Sequence, residues 1–88
     1  MMPFSSEAEA IEIANCTRYG LSSYIQAADV RRAHRVAERL EAGATMINGA
    51  PNLVVNRPFG GQGYSGYGKE GGPEVLAEFQ RTKTIAMV

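Results

Sequence analysis

Residues 58–72 read PFGGQGYSGYGKEGG and contain seven of the ten glycines of this 88-residue chain. Glycine reaches positive φ without steric cost and lets backbone segments approach one another closely. A flexible linker combines glycine mainly with serine, whereas this stretch interleaves it with three aromatic residues and the adjacent pair Lys69-Glu70. The composition therefore predicts a folded loop with a defined path, the kind of segment that often carries function.

The length and composition limit the class of protein. Eighty-eight residues allow at most one small domain, which buries a smaller fraction of its surface than a larger one. Nine basic and nine acidic side chains balance without a block of one sign, and tryptophan is absent. These features argue against nucleic acid and membrane as partners. The single cysteine rules out an intrachain disulfide framework and favours a cytoplasmic location.

The first half of the chain has the signals of two helices and an intervening strand. Ser6 and Glu9 form a capping-box pattern and predict a helix over residues 7–16, with Gly20 as a left-handed cap beyond its end. Residues 21–26 have the composition of a short strand. Asp29 is a good N-cap for a second helix, whose apolar residues recur at helical spacing: Val30, Ala33, Val36, Ala37 and Leu40.

The second half continues the alternation. Residues 45–48 predict a short strand, residues 49–57 a loop, and Pro73 the first turn of a third helix. The apolar composition of Thr82–Val88 predicts a last strand. The order of elements indicates an α/β layer, but so few strands do not form a stable open sheet by themselves. The chain is therefore interpreted as one edge of a larger α/β structure.

Two phosphate-binding patterns occur in the glycine-rich stretch, and both lack their required context. Residues 61–66 match G-x-G-x-x-G, but neither the preceding strand nor the following helix of a dinucleotide fold is predicted. Residues 63–69 match most of a P-loop, but Glu70 occupies the position where Ser or Thr would bind magnesium. A carboxylate there would repel phosphate, so neither pattern predicts a nucleotide site.

Two further candidate residues have ordinary structural explanations. Cys16 lies near a predicted helix C-terminus, where the helix dipole disfavours a thiolate. His34 is the only histidine and lies beside the apolar stripe of an arginine-rich helix, a solvated flanking position. One cysteine and one histidine do not make a metal site, so no bound metal is predicted.

Glu70 leaves two interpretations open. It is either half of a solvated Lys69-Glu70 pair or a functional carboxylate held close to backbone by the surrounding glycines. If the carboxyl group were buried, its pKa would rise unless a cation paired with it. The choice between them depends on the contacts of the folded loop.

The chain resembles the carboxy-terminal end of the aldehyde dehydrogenase superfamily along essentially its whole length. The order and spacing of several short motifs carry this resemblance. They are Glu9-Ala10-Ile11, Ile13-Ala14-Asn15, Tyr19-Gly20-Leu21, Ala42-Gly43, Ile47-Asn48, Pro58-Phe59-Gly60-Gly61, Ser65-Gly66-Tyr67-Gly68-Lys69-Glu70 and Thr82-Lys83-Thr84. Lys69 stands where the family usually has arginine, and Gly63 where it often has lysine.

The resemblance implies a fold and a chemistry. Family members oxidise aldehydes to carboxylic acids with NAD or NADP, through attack by a cysteine and hydride transfer to the nicotinamide. It also implies that the catalytic cysteine, the general base and the nucleotide-binding domain belong to an amino-terminal portion outside this chain. Cys16 does not match the position of the family's nucleophile, and no cofactor is expected for this chain alone.

Three side chains match functional positions of the family. Phe59 matches an aromatic that lines the substrate tunnel, and Leu53 lies in the variable loop that shapes substrate choice. Glu70 matches a buried glutamate associated with proton movement. Residues 1–80 correspond to part of the catalytic domain, and residues 81–88 to the strand by which family members form homo-oligomers.

Two hypotheses follow. In the first, the chain is a portion of an aldehyde dehydrogenase and is inactive alone, because the catalytic machinery lies elsewhere. In the second, it is a non-catalytic assembly module that associates through Thr82–Val88, an apolar segment suited to edge pairing.

Overall fold

The fold was analysed in a computed structural model, which describes residues 1–49 and 54–87. Its elements are α1 (Glu7–Asn15), β1 (Tyr19–Gly20), β2 (Ser22–Ile25), α2 (Val30–Ala37), β3 (Ala44–Ile47), β4 (Gln62–Gly63) and α3 (Val75–Glu78). The strands form two small sheets, β2 parallel to β3 and β1 antiparallel to β4. The α/β class predicted from the sequence is confirmed.

The start of α1 uses a variant of the predicted capping box. The Ser6 hydroxyl accepts a hydrogen bond from the Glu9 N–H at 3.2 Å, as expected of an N-cap. The close hydrogen bonds of the Glu9 carboxylate come from the N–H and the hydroxyl of Ser5, at 2.8 and 2.6 Å. Both side chains of the capping box therefore make hydrogen bonds at the start of the helix. The close ones of the carboxylate are to Ser5, one residue before the N-cap.

The predicted extent of α1 is confirmed within one residue, but the predicted left-handed cap at Gly20 was wrong. The helix ends at the C-cap Cys16 with an ordinary right-handed φ of −77°, and Gly20 is a buried residue of β1 without positive φ. A glycine is required there for space: a Cβ on Gly20 would lie 2.6 Å from the carbonyl oxygen of Glu41. The strand predicted over residues 21–26 is shorter, at Ser22–Ile25.

The helix α2 begins as predicted. The Asp29 carboxylate accepts hydrogen bonds from the N–H groups of Arg31 and Arg32, at 2.9 and 3.3 Å. The helix connects β2 to β3, whose parallel register pairs Ser23 with Thr45. The hydroxyls of these two residues share a hydrogen bond of 2.7 Å. This β2–α2–β3 unit is the most regular part of the described chain.

An ion-pair fork joins the two long helices. The Glu7 carboxylate on α1 accepts from Nε of Arg32 at 3.0 Å, and from Nε and Nη2 of Arg35 at 3.0 and 2.9 Å. These charged donors hold the pKa of Glu7 down at about 2. Each of the two helices that the fork joins carries one buried apolar residue, Ile11 on α1 and Ala33 on α2.

The hydrophobic core is small. Only Ile11 and Ala33 among the described apolar residues are buried, whereas Phe4, Leu76 and Phe79 are largely exposed. The accessible surface is 7445 Å², against roughly 5,000 Å² for a compact monomer of this mass. The radius of gyration is 17.1 Å, against roughly 12 Å for a compact domain of this length.

The carboxy-terminal third departs most from the sequence-based prediction. The third helix forms, but it is a four-residue segment whose Leu76 is exposed. Residues 82–87 are exposed and pair with no strand of this chain, so the strand predicted to pair with a neighbouring subunit stays a prediction. A single extended segment gains no ladder hydrogen bonds unless a neighbouring strand supplies them. Val88 lies outside the described residues.

Candidate functional site

The glycine-rich loop begins and ends at a backbone bridge between Phe59 and Glu70. The Phe59 N–H donates to the Glu70 carbonyl oxygen, and the Glu70 N–H to that of Phe59, both at 2.7 Å. This reciprocal pair holds the two ends of residues 59–70 together. The loop is therefore closed by its own backbone, as its composition predicts.

A close backbone contact seats this loop on the β2–β3 side of the chain. A Cβ on Gly43, just before β3, would collide with the carbonyl oxygen of Gly60. Neither Gly43 nor Gly60 has room for a side chain. Gly60 and Gly61 are also buried. The loop position is thus set by backbone packing between distant parts of the chain.

A second set of contacts joins the far end of the loop to β1. The Gly20 N–H donates to the Ser65 hydroxyl at 2.9 Å, and the Tyr64 N–H donates to the Arg18 carbonyl oxygen at 2.7 Å. The Arg18 guanidinium lies 5.4 Å from the Tyr64 ring centroid and donates to its hydroxyl at 3.2 Å. The Tyr19 ring meets Tyr64 edge-on, at 6.1 Å between centroids. The loop is consequently anchored at both ends.

An open apolar groove lies beside the bridged ends of the loop, Phe59 and Glu70, which we call the loop neck. It has a volume of about 670 Å³, and the apolar residues in its lining include Val54, Val55, Phe59, Val75 and Leu76. Phe59 is half-buried in its wall. A groove lined in this way suits the apolar part of a ligand or of another polypeptide segment.

The three predicted site residues have different positions. Phe59 and Glu70 are brought together by the backbone bridge, and both line the groove. Leu53 lies outside the described residues. The assigned roles of all three stay predictions.

Lys69 and Glu70 do not form an ion pair with one another in the described structure. A Cβ on Gly60 would lie 2.7 Å from Cδ of Lys69, so the lysine side chain lies over the loop neck. Glu70 is an exposed residue in this chain, whereas its match in the family is a buried glutamate.

The loop does not fit a dinucleotide. Its N–H groups at Tyr64, Ser65 and Gly66 donate to the carbonyl oxygens of Arg18, Gln62 and Gly63, so they are unavailable to a phosphate. The next helix, α3, begins only at Val75, too far along to direct its N-terminus at the loop. Within residues 1–49 and 54–87, no helix is long and apolar enough to cross a bilayer, and no three metal-binding side chains cluster.

Sequence reasoning missed two asparagines with structural roles. The Asn15 amide donates to the Arg39 carbonyl oxygen and accepts from the Glu41 N–H, both at 2.9 Å. The Asn48 amide makes the same kind of pair with the backbone of Ala27. Both belong to motifs that carry the family resemblance, which was the available signal. Cys16 and His34 are exposed.

These features define a partial α/β layer with a backbone-anchored glycine loop. Comparison with known proteins identifies it: a family model described as the aldehyde dehydrogenase family matches residues 1–85. The chain belongs to the aldehyde dehydrogenase family.

Relatives and solved structures agree with this assignment. The chain is 44% identical over 85 residues to betaine aldehyde dehydrogenase 1 of Rhizobium meliloti (strain 1021), covering 97% of this chain and 18% of that protein. It is 46% identical to 2-hydroxymuconic semialdehyde dehydrogenase of Pseudomonas putida, with the same coverage. The fold matches a Staphylococcus aureus betaine aldehyde dehydrogenase in complex with NAD+ with a TM-score of 0.82 and 39% identity, over 86% of this chain and 15% of that one. The chain thus spans less than a fifth of the length of these relatives.

Proposed function

We propose that this chain is the carboxy-terminal portion of the catalytic domain of an NAD(P)-dependent aldehyde dehydrogenase, and that it contributes part of the aldehyde-binding surface. The observation that carries the proposal is the anchored loop, which places Phe59 in the wall of an open apolar groove. An aromatic held at the base of a rigid loop can orient an aldehyde without moving. Leu53 and Glu70 are proposed to act at the same surface, as substrate-selecting and proton-carrying residues.

The small hydrophobic core supports the proposal that another polypeptide packs against this portion. Two apolar side chains are buried within residues 1–49 and 54–87, and many large apolar ones are exposed. Extensive exposed apolar surface marks contact surfaces. We propose that the amino-terminal portion of an aldehyde dehydrogenase covers these faces. The catalytic cysteine, the general base and the NAD or NADP site would then belong to that portion.

On this proposal the 88-residue chain alone does not oxidise aldehydes. Cys16 is exposed at the C-terminal end of α1 and does not match the position of the family's nucleophile. The glycine loop uses its N–H groups internally and does not fit the cofactor. A reducing, cytoplasmic setting is proposed because the chain carries a single free thiol.

A segment exchange tests the proposal. The matching residues of the Rhizobium meliloti betaine aldehyde dehydrogenase 1 are replaced by this chain, and NADH formation is measured with a panel of aldehydes. We expect the exchanged enzyme to turn over aldehyde and the isolated chain to form no NADH. The control is the same enzyme with its own segment deleted. Aldehyde-dependent NADH formation by the isolated chain, or a folded but inactive exchanged enzyme, would contradict the proposal.

A second candidate function is self-association. Residues 82–87 are exposed and in no strand, with Ile85 81% and Met87 96% exposed. Such a segment can add to the sheet edge of another copy. Light scattering of the pure chain tests this: removal of residues 82–88 should convert a dimer or larger assembly to a monomer. Removal of residues 1–3 is the matched control, and an unchanged mass after the carboxy-terminal deletion would rule out this role.

A further inference from the structure

Asn48 closes the end of the β2–β3 sheet through its side chain. Its Oδ1 accepts from the Ala27 N–H, and its Nδ2 donates to the Ala27 carbonyl oxygen, both at 2.8 Å. We call these two hydrogen bonds the Asn48 clamp. Asn48 also has a positive φ of 52°, a conformation that asparagine tolerates better than most residues. The clamp thus continues the strand pairing by one side chain beyond Ile47.

The residue after Asn48 is a glycine, and both are exposed. An asparagine followed by glycine is chemically labile in water, because no Cβ hinders the backbone nitrogen of the next residue from approaching the side-chain amide. Because the hydrophobic core is small, local opening of the sheet end costs little free energy. The dipeptide therefore combines chemical lability with access.

We propose that Asn48 is a site of spontaneous deamidation, and that its conversion opens the end of the β2–β3 sheet. The Gly49 nitrogen attacks Cγ of Asn48 and forms a new C–N bond. The Cγ–Nδ2 bond breaks, and ammonia leaves with the proton of the Gly49 nitrogen. Water then hydrolyses the cyclic imide at either carbonyl, leaving aspartate or isoaspartate. No oxidant, metal or enzyme takes part.

The structural consequence follows from the hydrogen-bond donors and acceptors of asparagine and aspartate. An aspartate carboxylate accepts hydrogen bonds but donates none when ionised. It retains an acceptor for the Ala27 N–H, but it turns an oxygen toward the Ala27 carbonyl where Nδ2 had donated. One hydrogen bond becomes a repulsive contact, so the modified chain does not re-form the clamp.

Asn15 provides an internal comparison. Its amide makes the same pair of backbone hydrogen bonds, both at 2.9 Å, but the next residue is Cys16, which carries a Cβ. The two asparagines differ in the residue that follows, and also in setting, because Asn15 is half-buried at the end of α1 and Asn48 is exposed with a positive φ. Asn56, exposed and followed by Arg57, is a comparison without a described clamp.

The experiment incubates the full chain in mildly alkaline buffer and follows each asparagine by peptide mass spectrometry. We expect Asn48 to convert at least about fivefold faster than Asn15 and Asn56, and G49A to lower its rate to theirs. In a second arm, amide hydrogen exchange of Ala27 is compared in the unmodified chain, N48D and N56D. N48D should lose protection by about fivefold or more, the equivalent of one net hydrogen bond, and N56D should not.

Three results would overturn the proposal. They are conversion of Asn48 no faster than that of Asn15, equal Ala27 protection in N48D and the unmodified chain, and an Ala27 N–H unprotected before modification. The last result would mean that there is no clamp to break.

Discussion

The hydroxyl of Ser65 accepts a hydrogen bond of 2.9 Å from the N–H of Gly20, a residue 45 positions earlier in the chain. Gly20 is buried, so this N–H depends on the serine for a partner. The bond lies beside the short β1–β4 pair and holds the far end of the glycine loop. The Ser65 hydroxyl therefore adds a side-chain hydrogen bond to the backbone contacts that join the loop to the first half of the molecule.

Substitution Ser65→Ala should detach this end of the loop. The buried Gly20 N–H loses its partner, which costs about 1–3 kcal/mol of unfolding free energy. Urea unfolding followed by circular dichroism measures the change. Thr82→Ala, in the exposed tail, should alter stability by no more than about 0.5 kcal/mol. Equal effects of the two substitutions would show that the Ser65 hydroxyl does not hold the loop.

Substitution Gly43→Ala should displace the loop at its other end. The added Cβ collides with the carbonyl oxygen of Gly60, and overpacking of this kind costs about 1–3 kcal/mol or more. The unfolding midpoint in urea reports the loss. Gly49→Ala is the matched control, because its Cβ would lie 3.7 Å from the nearest atom, the Ile47 carbonyl oxygen. A midpoint unchanged by Gly43→Ala would disprove the close backbone contact.

The ion-pair fork should make the free energy of unfolding depend on pH in the acidic range. Hydrogen bonds from Arg35, with those from Arg32, lower the pKa of Glu7 from 4.5 to about 2. A carboxylate with a depressed pKa stabilises the fold fully above its unfolded pKa and loses that contribution as pH falls through the folded value. The loss should therefore run from about pH 4.5 down to about pH 2.

Glu7→Gln tests this dependence. The variant should be less stable than the parent near neutral pH and should approach it as the pH is lowered through that window. Stability is measured by urea unfolding at a series of pH values, with Glu12→Gln, an exposed position on the same helix, as the control. Added salt should reduce the difference, because exposed charges are screened. If the difference in stability between the parent and Glu7→Gln does not become smaller at low pH, the fork does not stabilise the fold as proposed.

In the exchanged enzyme described above, Phe59→Ala should impair aldehyde use. Loss of the aromatic wall removes contact worth about 1.4 kcal/mol or more, which is a roughly tenfold fall in kcat/KM. Steady-state kinetics with the preferred aldehyde measure it. Phe79→Ala alters a phenylalanine that is 86% exposed in this chain and serves as the comparison. Equal falls for both variants would place Phe59 outside the substrate surface.

The sequence predicted local features well, whereas pairing of the last segment depends on more than local composition. Ser6 and Asp29 cap their helices as expected, because an N-cap acts on N–H groups only two or three residues away. Of the apolar stripe predicted on α2, Ala33 is buried, whereas Val30 is exposed. Residues 82–87 have strand composition but pair with no strand, since a ladder needs a partner that composition does not provide.

The sequence by itself determined the family, the two capped helices and the presence of a folded glycine loop, because each depends on residue types at short, fixed spacings. Only the tertiary structure decided where that loop lies. The pairing of β1 with β4, the Gly43–Gly60 contact and the amide pairs of Asn15 and Asn48 join residues distant in sequence. Such contacts depend on the mutual placement of whole segments, and no local pattern of residues encodes that placement.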